Sequence, residues 1–114
     1  MMNNMKLLIK IIAITFALIC YTLSLGANQE FEIVIQDHLF FPSMLELPAG
    51  QKIRLLIINQ DPTAEEFESY ELNREKVIPG NSRTVIFVGP LSPGEYLFFG
   101  EFYPRTAQGM IIVK

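Results

Sequence analysis

The chain has 114 residues and a formal net charge of −3 at pH 7, half of its residues are apolar, and it contains one cysteine, Cys20. Residues 28–114 hold all twelve acidic side chains but only seven of the nine basic ones, a net charge of −5. This acidity argues against binding to nucleic acid and favours binding to cations. Because Cys20 lies in the N-terminal segment, residues 28–114 can form neither a disulfide nor a thiolate metal site.

The N-terminal segment has the order of a secretory signal peptide. An apolar run over residues 11–25 follows two lysines and leads into the small residues Gly26 and Ala27. We therefore expect residues 1–27 to export a single domain, residues 28–114, to the periplasm. An uncleaved membrane anchor is the alternative, since an apolar run of about 15 residues falls just short of the ~20 that span a bilayer.

Residues 28–114 have the pattern of an all-β domain. Residues 31–36 alternate apolar and polar side chains, and the apolar run Leu55–Ile58 predicts a strand that is buried on both faces. Turn residues recur at short intervals, which is typical of a β-sandwich. We predict about seven strands, in the segments 31–36, 43–48, 52–59, 65–72, 83–89, 95–100 and 108–114.

Carboxylates are the most frequent reactive side chains of this domain. Glu65, Glu66 and Glu68 fall within four residues, and Glu101 lies near the C-terminus. On a strand, Glu66 and Glu68 project to one face while Phe67 points to the core. Carboxylates so close together repel each other unless a cation compensates them, and hard cations such as iron or manganese ions suit oxygen ligands. The alternative is a solvated acidic face balanced by Arg74, Lys76 and Arg105.

Two further side chains could join such a site. His38, the only histidine, lies at the end of a predicted strand, either as a hydrogen-bonded edge residue or as a nitrogen ligand. Tyr103 shares a face with Glu101 if the strand alternation continues there. Met44 and Met110 are expected in or near the core. No serine stands in a nucleophile elbow or has a histidine–aspartate pattern around it, so hydrolytic catalysis is not supported.

Four short elements together resemble the cupredoxin-like domains. They are F-x-P at Phe40–Pro42, P-A-G at Pro48–Gly50, N-x-D at Asn59–Asp61 and P-G-x-Y at Pro93–Tyr96. The resemblance covers essentially the whole of residues 28–114 and implies a Greek-key β-sandwich. The segments "EEFES", "EKVIPG" and "GEFYPRTAQG" are similar to the small periplasmic FtrB-type proteins of bacterial ferrous-iron uptake systems.

The resemblance also implies where the blue-copper members bind their metal. It places Glu65 or Glu66 at the first histidine position, Gly100 at the cysteine, Tyr103 at the second histidine and Gln108 at the methionine. All four copper ligands are therefore absent, and a blue-copper centre cannot form without the thiolate. The iron-uptake relatives usually have histidine at the position of Tyr103, and a phenolate is a better ligand for Fe³⁺ than for Fe²⁺ or Cu²⁺.

The expected function is that of a periplasmic accessory protein of iron uptake, with iron expected before copper. The expected metal ligands are Glu66, Glu68 and Glu101, followed by Glu65, His38 and Tyr103. The resemblance implies two partners, a membrane iron permease and a periplasmic iron-binding protein. Two alternatives stay open: a ferrous or copper oxidase, which would have only one histidine, and a metal-free module that binds the permease.

Overall fold

The computed structural model describes residues 4–6, which are helical, and residues 28–114. In these residues no helix has the length and apolarity that crossing a bilayer requires. The predicted signal peptide lies almost entirely outside them, so it stays a prediction. Residues 28–114 form nine strands: β1 (Gln29–Gln36), β2 (Leu39–Phe41), β3 (Met44–Leu47), β4 (Ile53–Asn59), β5 (Glu65–Ser69), β6 (Arg74–Ile78), β7 (Ser82–Val88), β8 (Gly94–Gly100) and β9 (Gln108–Val113).

The strands form two sheets that pack face to face. The first sheet has the order β2-β1-β4-β7 and the second has the order β3-β9-β8-β5-β6. The all-β sandwich is therefore confirmed, with nine strands instead of about seven. The two additional strands gave weak sequence signals, because β2 has only three residues and four of the five residues of β6 are exposed.

The core lies between the inward faces of the two sheets. The predicted alternation of β1 is confirmed, since Ile33 and Ile35 are fully buried. In the second sheet, the rings of Phe67 and Phe98 stack with their centroids 5.1 Å apart. The ring of Phe40 from β2 packs edge-on against Phe98 at the same distance. These aromatic contacts join β2 of the first sheet to β5 and β8 of the second.

One of the two methionines is placed differently from the expectation. Met44 is 62% exposed on β3, and Met110, its register partner on β9, is only partly buried. Their neighbours Leu47, Ile111 and Val113 are buried instead. Since side chains alternate along a strand, Met44 and Met110 point away from the core. The prediction that both belong to the core region was wrong for Met44, and the outer face of the second sheet carries both side chains.

Candidate functional site

Strand β5 places glutamates on both faces of the second sheet. Phe67 and Glu65 are buried, whereas Glu66 and Glu68 point outward and are partly exposed, as the strand alternation predicted. In the antiparallel pairing with β6, Glu68 lies directly opposite Glu75. The outer face therefore holds three carboxylates at the β5–β6 hairpin.

A fourth carboxylate reaches this face from the turn after β8. The N–H of Glu101 donates to the carbonyl oxygen of Glu66 at 2.9 Å, which fixes the turn beside β5. The carboxyl group of Glu101 is hydrogen-bonded to that of Glu68. We call these four residues, Glu66, Glu68, Glu75 and Glu101, the acidic cluster.

The carboxyl groups of the acidic cluster are close enough to share protons. Ligand oxygens of Glu66, Glu68 and Glu75 lie within 4.8 Å of one another. A hydrogen bond to Glu75 raises the pKa of Glu66 from its ordinary value of 4.5 to about 7, and desolvation and the negative charges nearby act in the same direction. The pKa of Glu68 is also raised, first by desolvation and then by the hydrogen bond to Glu101.

No basic side chain of residues 28–114 forms an ion pair with the acidic cluster. The acid–base contacts in this part of the chain all involve other residues. Arg74, one of the expected counter-ions, donates instead to the main-chain oxygens of Phe87 and Asn73, each at 2.9 Å. Lys76 and Arg105 also form no ion pair there. The expectation that these three side chains balance the acidic face was therefore wrong, although Glu66 and Glu68 do lie on a partly exposed face.

Glu65 does not belong to the acidic cluster, because its side chain lies on the inner face of β5 and is only 1% exposed. Its Oε1 accepts hydrogen bonds from the N–H groups of Glu66, at 2.8 Å, and Phe102, at 3.0 Å. Its Oε2 has no hydrogen-bond partner among the described residues. A Cβ added to Gly100 would lie 2.7 Å from Oε2 and 2.8 Å from the Cβ of Ala107. The carboxyl group is thus packed tightly against β8 and the start of β9.

The space around Gly100 does not fit a copper centre. Neither Gly100 nor Ala107 has a donor atom in its side chain, and the Glu65 carboxyl group fills the space that a cysteine at position 100 would need. Gln108, expected at the methionine position, is exposed and donates its amide to the carbonyl oxygen of Pro104 at 3.0 Å. The donor set and the packing both exclude a blue-copper centre within residues 28–114.

His38 is held in the two-residue turn between β1 and β2. Asp37 and His38 have φ angles of 53° and 60°, the left-handed conformation that a type I′ hairpin turn needs. The buried Asp61 carboxylate accepts hydrogen bonds from both N–H groups, at 2.8 and 2.9 Å. The position of His38 is therefore set by the N-x-D element at the end of β4.

The side chain of His38 stacks on Tyr103, with ring centroids 3.6 Å apart and planes 19° apart. Its Nδ1 lies 3.6 Å from an oxygen of Asp61, too far for a hydrogen bond. His38 and Tyr103 therefore form a contact of their own, and the group of mutually close carboxylates does not include them. Tyr103 lies in a turn, so the face that it was expected to share with Glu101 does not exist.

Glu75 is the member of the acidic cluster that was missing from the predicted ligands. A signal was present in the sequence, because Glu68 and Glu75 flank the turn at residues 70–73 at equal distances. This pairing can be recognised only if the segment Arg74–Ile78 is predicted to be a strand. Its sequence is mostly exposed and charged, so it lacks the apolar alternation typical of a strand. Once β5 and β6 pair, the register places Glu75 opposite Glu68.

Comparison with known sequences and structures links this fold to one family. A family model for the cupredoxin-like domain matches residues 9–113. An uncharacterized protein of Rickettsia prowazekii (strain Madrid E) is 49% identical over 85 residues, which are 75% of this chain and 68% of that protein.

Three solved structures illustrate the likeness of the fold. The metal-binding domain of the Cu(I)-exporting P-type ATPase CopA of Streptococcus pneumoniae D39, solved with Cu(I), has a TM-score of 0.69 at 18% identity, covering 78% of this chain and 88% of that one. Auracyanin B has a TM-score of 0.65 at 15% identity, with coverages of 75% and 88%. A purple cupredoxin from Nitrosopumilus maritimus has a TM-score of 0.56 at 18% identity, with coverages of 73% and 98%.

Replacing Glu65 tests its structural role. Glu65→Ala leaves the N–H groups of Glu66 and Phe102 without their acceptor and opens a cavity, so we expect a loss of roughly 2–4 kcal/mol in the free energy of unfolding. Glu65→Gln keeps one acceptor oxygen and should stay within about 1 kcal/mol of the wild type. Urea unfolding followed by circular dichroism measures both values. Equal stability of the alanine variant and the wild type would contradict the role.

The acidic cluster predicts a pH dependence of stability. Because the folded-state pKa of Glu66 is about 7, above its ordinary value of 4.5, the folded protein binds this proton more tightly than the unfolded chain does. The resulting stabilisation is full below the ordinary value and is lost as the pH rises through the folded-state value. In the absence of metal ions, the thermal midpoint should therefore fall between about pH 5 and about pH 8.

Glu75→Gln should flatten this pH profile, because it removes the main cause of the raised pKa of Glu66. Glu95→Gln, an exposed change on the neighbouring strand β8, is the control and should leave the slope intact. A wild-type midpoint that rises over this pH range, or equal slopes in the Glu75→Gln variant and the wild type, would contradict the proton sharing.

Proposed function

Because this chain belongs to the family of cupredoxin-like domains, we propose that it is a periplasmic accessory protein of iron uptake, which binds iron at the acidic cluster and hands it on. One observation carries the proposal: oxygens of Glu66, Glu68 and Glu75 lie within 4.8 Å of one another, and residues 28–114 supply no ion pair to them. Glu101, hydrogen-bonded to Glu68, adds a fourth carboxylate.

The chemistry of this cluster favours a hard cation. Carboxylates held this close are kept together by shared protons, and a cation that displaces the protons would bind up to four oxygen donors. Iron and manganese ions accept such donors, whereas soft Cu(I) prefers thiolate and thioether ligands. Carboxylate ligands also favour Fe³⁺ over Fe²⁺. The cluster is therefore suited to holding iron after export of the protein.

The transport role and the partners rest on the resemblance to the iron-uptake proteins. A membrane iron permease and a periplasmic iron-binding protein would receive or supply the metal. The partly exposed position of the cluster is compatible with such a transfer, because a partner could approach Glu66 and Glu68 from the solvent side. The oxidase alternative is less well supported, since the one histidine, His38, stacks on Tyr103 away from the cluster.

Calorimetric titration tests the metal site directly. The protein should bind Fe²⁺ under anaerobic conditions and Mn²⁺, and it should bind Cu(I), also under anaerobic conditions, far less tightly. The double substitution Glu66→Gln plus Glu68→Gln removes two neighbouring ligands. We expect it to weaken binding of Fe²⁺ and Mn²⁺ at least about tenfold, which corresponds to about 1.4 kcal/mol.

The matched control is Glu32→Gln plus Glu95→Gln, which changes the net charge equally at exposed positions outside the cluster. It should leave metal affinity within about twofold of the wild type, a difference of about 0.4 kcal/mol. If both double variants lost metal affinity equally, the loss would be due to net charge and not to the removal of ligands. Wild-type affinities no tighter than millimolar would also refute the site.

A further inference from the structure

The outer face of the second sheet carries a contiguous set of apolar side chains next to the acidic cluster. In strand register, Met44 of β3 lies beside Met110 of β9, which lies beside Leu97 of β8. Phe99 lies two residues further along β8, and its ring is 5.5 Å from that of Tyr70, which follows β5. We call these five residues, Met44, Met110, Leu97, Phe99 and Tyr70, the outer apolar patch.

The side chains of the outer apolar patch are unusually accessible. Met44 is 62% exposed, Leu97 51% and Tyr70 74%. Large apolar side chains gathered on one surface of a soluble domain mark a site of contact with another molecule more often than scattered single ones do. The patch crosses β3, β9 and β8 and continues to the end of β5, so it forms one continuous surface.

The patch and the acidic cluster are parts of one surface. Glu68 is the direct register partner of Phe99. The negative charge of Glu68 is the main cause of the raised pKa of the Tyr70 hydroxyl, and Glu101 and Glu75 contribute to it. The outer apolar patch is therefore bordered along β5 and β6 by the carboxyl groups of the acidic cluster.

The outer face of the first sheet differs in this respect. There Lys52 lies over the ring of Phe87, with Nζ 4.7 Å from its centroid, and Arg54 lies 5.8 Å from it. Arg54 also pairs with Glu30 at 3.3 Å. The ring of Phe87, 40% exposed, thus has two cationic neighbours, and one of them is paired with a carboxylate. On the outer face of the second sheet, the cluster has no such partner within residues 28–114.

We propose that the outer apolar patch and the acidic cluster form the docking surface for a basic amphipathic helix of another protein. Neighbouring strands place Met44, Met110 and Leu97 about 4.8 Å apart, close to the ~5.4 Å between successive turns of a helix. A helix lying across the strands can therefore match its apolar face to the patch. Lysine or arginine on the flank of that helix would then face Glu68 and Glu75.

The net charge of this domain argues against a second copy of the chain as the molecule that binds the outer apolar patch. Residues 28–114 carry a net charge of −5, and each copy would bring a further acidic cluster to the contact. A basic partner gains both apolar burial and charge complementarity at the same surface. The apolar side chains of the patch are separate from the carboxylate ligands, so peptide binding is tested on metal-free protein.

A fluorescein-labelled peptide of leucine and lysine, about 14 residues long and helical with one apolar face, serves as the probe. The protein is expressed from the full-length coding sequence and purified from the cell fraction, periplasmic or membrane, that contains it. Fluorescence anisotropy should show saturable binding. Met44→Gln plus Leu97→Gln should weaken it at least about tenfold, while metal affinity stays unchanged. A protein that binds the peptide but no metal would therefore refute the metal site without refuting this docking surface.

The control is Leu39→Gln plus Phe87→Gln, which changes exposed apolar side chains of the first sheet and should leave peptide binding within about twofold. A matched peptide of leucine and glutamate should not bind. Three results would overturn the proposal: equal binding by the patch variant and the wild type, an equal loss in the control variant, or a wild-type dimer in sedimentation that the patch variant dissociates.

Discussion

The buried carboxyl group of Glu65 is the constraint on which the arrangement of both faces of β5 depends. It accepts hydrogen bonds from the N–H groups of Glu66 and Phe102, so it ties β5 to the turn after β8. It also fills the space beside Gly100 and Ala107. The residues packed against this carboxyl group, Gly100 and Ala107, have no side-chain atom that could bind a metal.

Fixing Glu65 inside has a direct consequence for the outer face. Because side chains alternate along β5, burial of Glu65 and Phe67 directs Glu66 and Glu68 outward. The turn that Glu65 holds in place then brings Glu101 against them. Shared protons relieve the resulting repulsion between the carboxyl groups, and the pKa of Glu66 is raised for this reason. A candidate cation site and a cost in stability at neutral pH thus have the same physical origin.

Much of the fold was predictable from the sequence, but the site was predictable only in part. Alternation in β1 and β5 correctly assigned inward and outward side chains, and Glu66 and Glu68 followed from it. Glu75 could not be assigned without the pairing of β6, an exposed and charged edge strand. Met44 was misjudged for a related reason, since spacing along one strand does not report which side chains neighbouring strands cover. The sequence left two roles open for His38, and the structure adds its stacking on Tyr103.

We propose that metal binds this domain on the outer face of β5 and β6, and not in the interior near Gly100. Paramagnetic line broadening by substoichiometric Mn²⁺ in the amide spectrum of the ¹⁵N-labelled protein tests it most directly. The account predicts the strongest broadening at Glu66, Glu68 and Glu75. Broadening centred on Gly100 and Ala107, or on His38 and Tyr103, would contradict it.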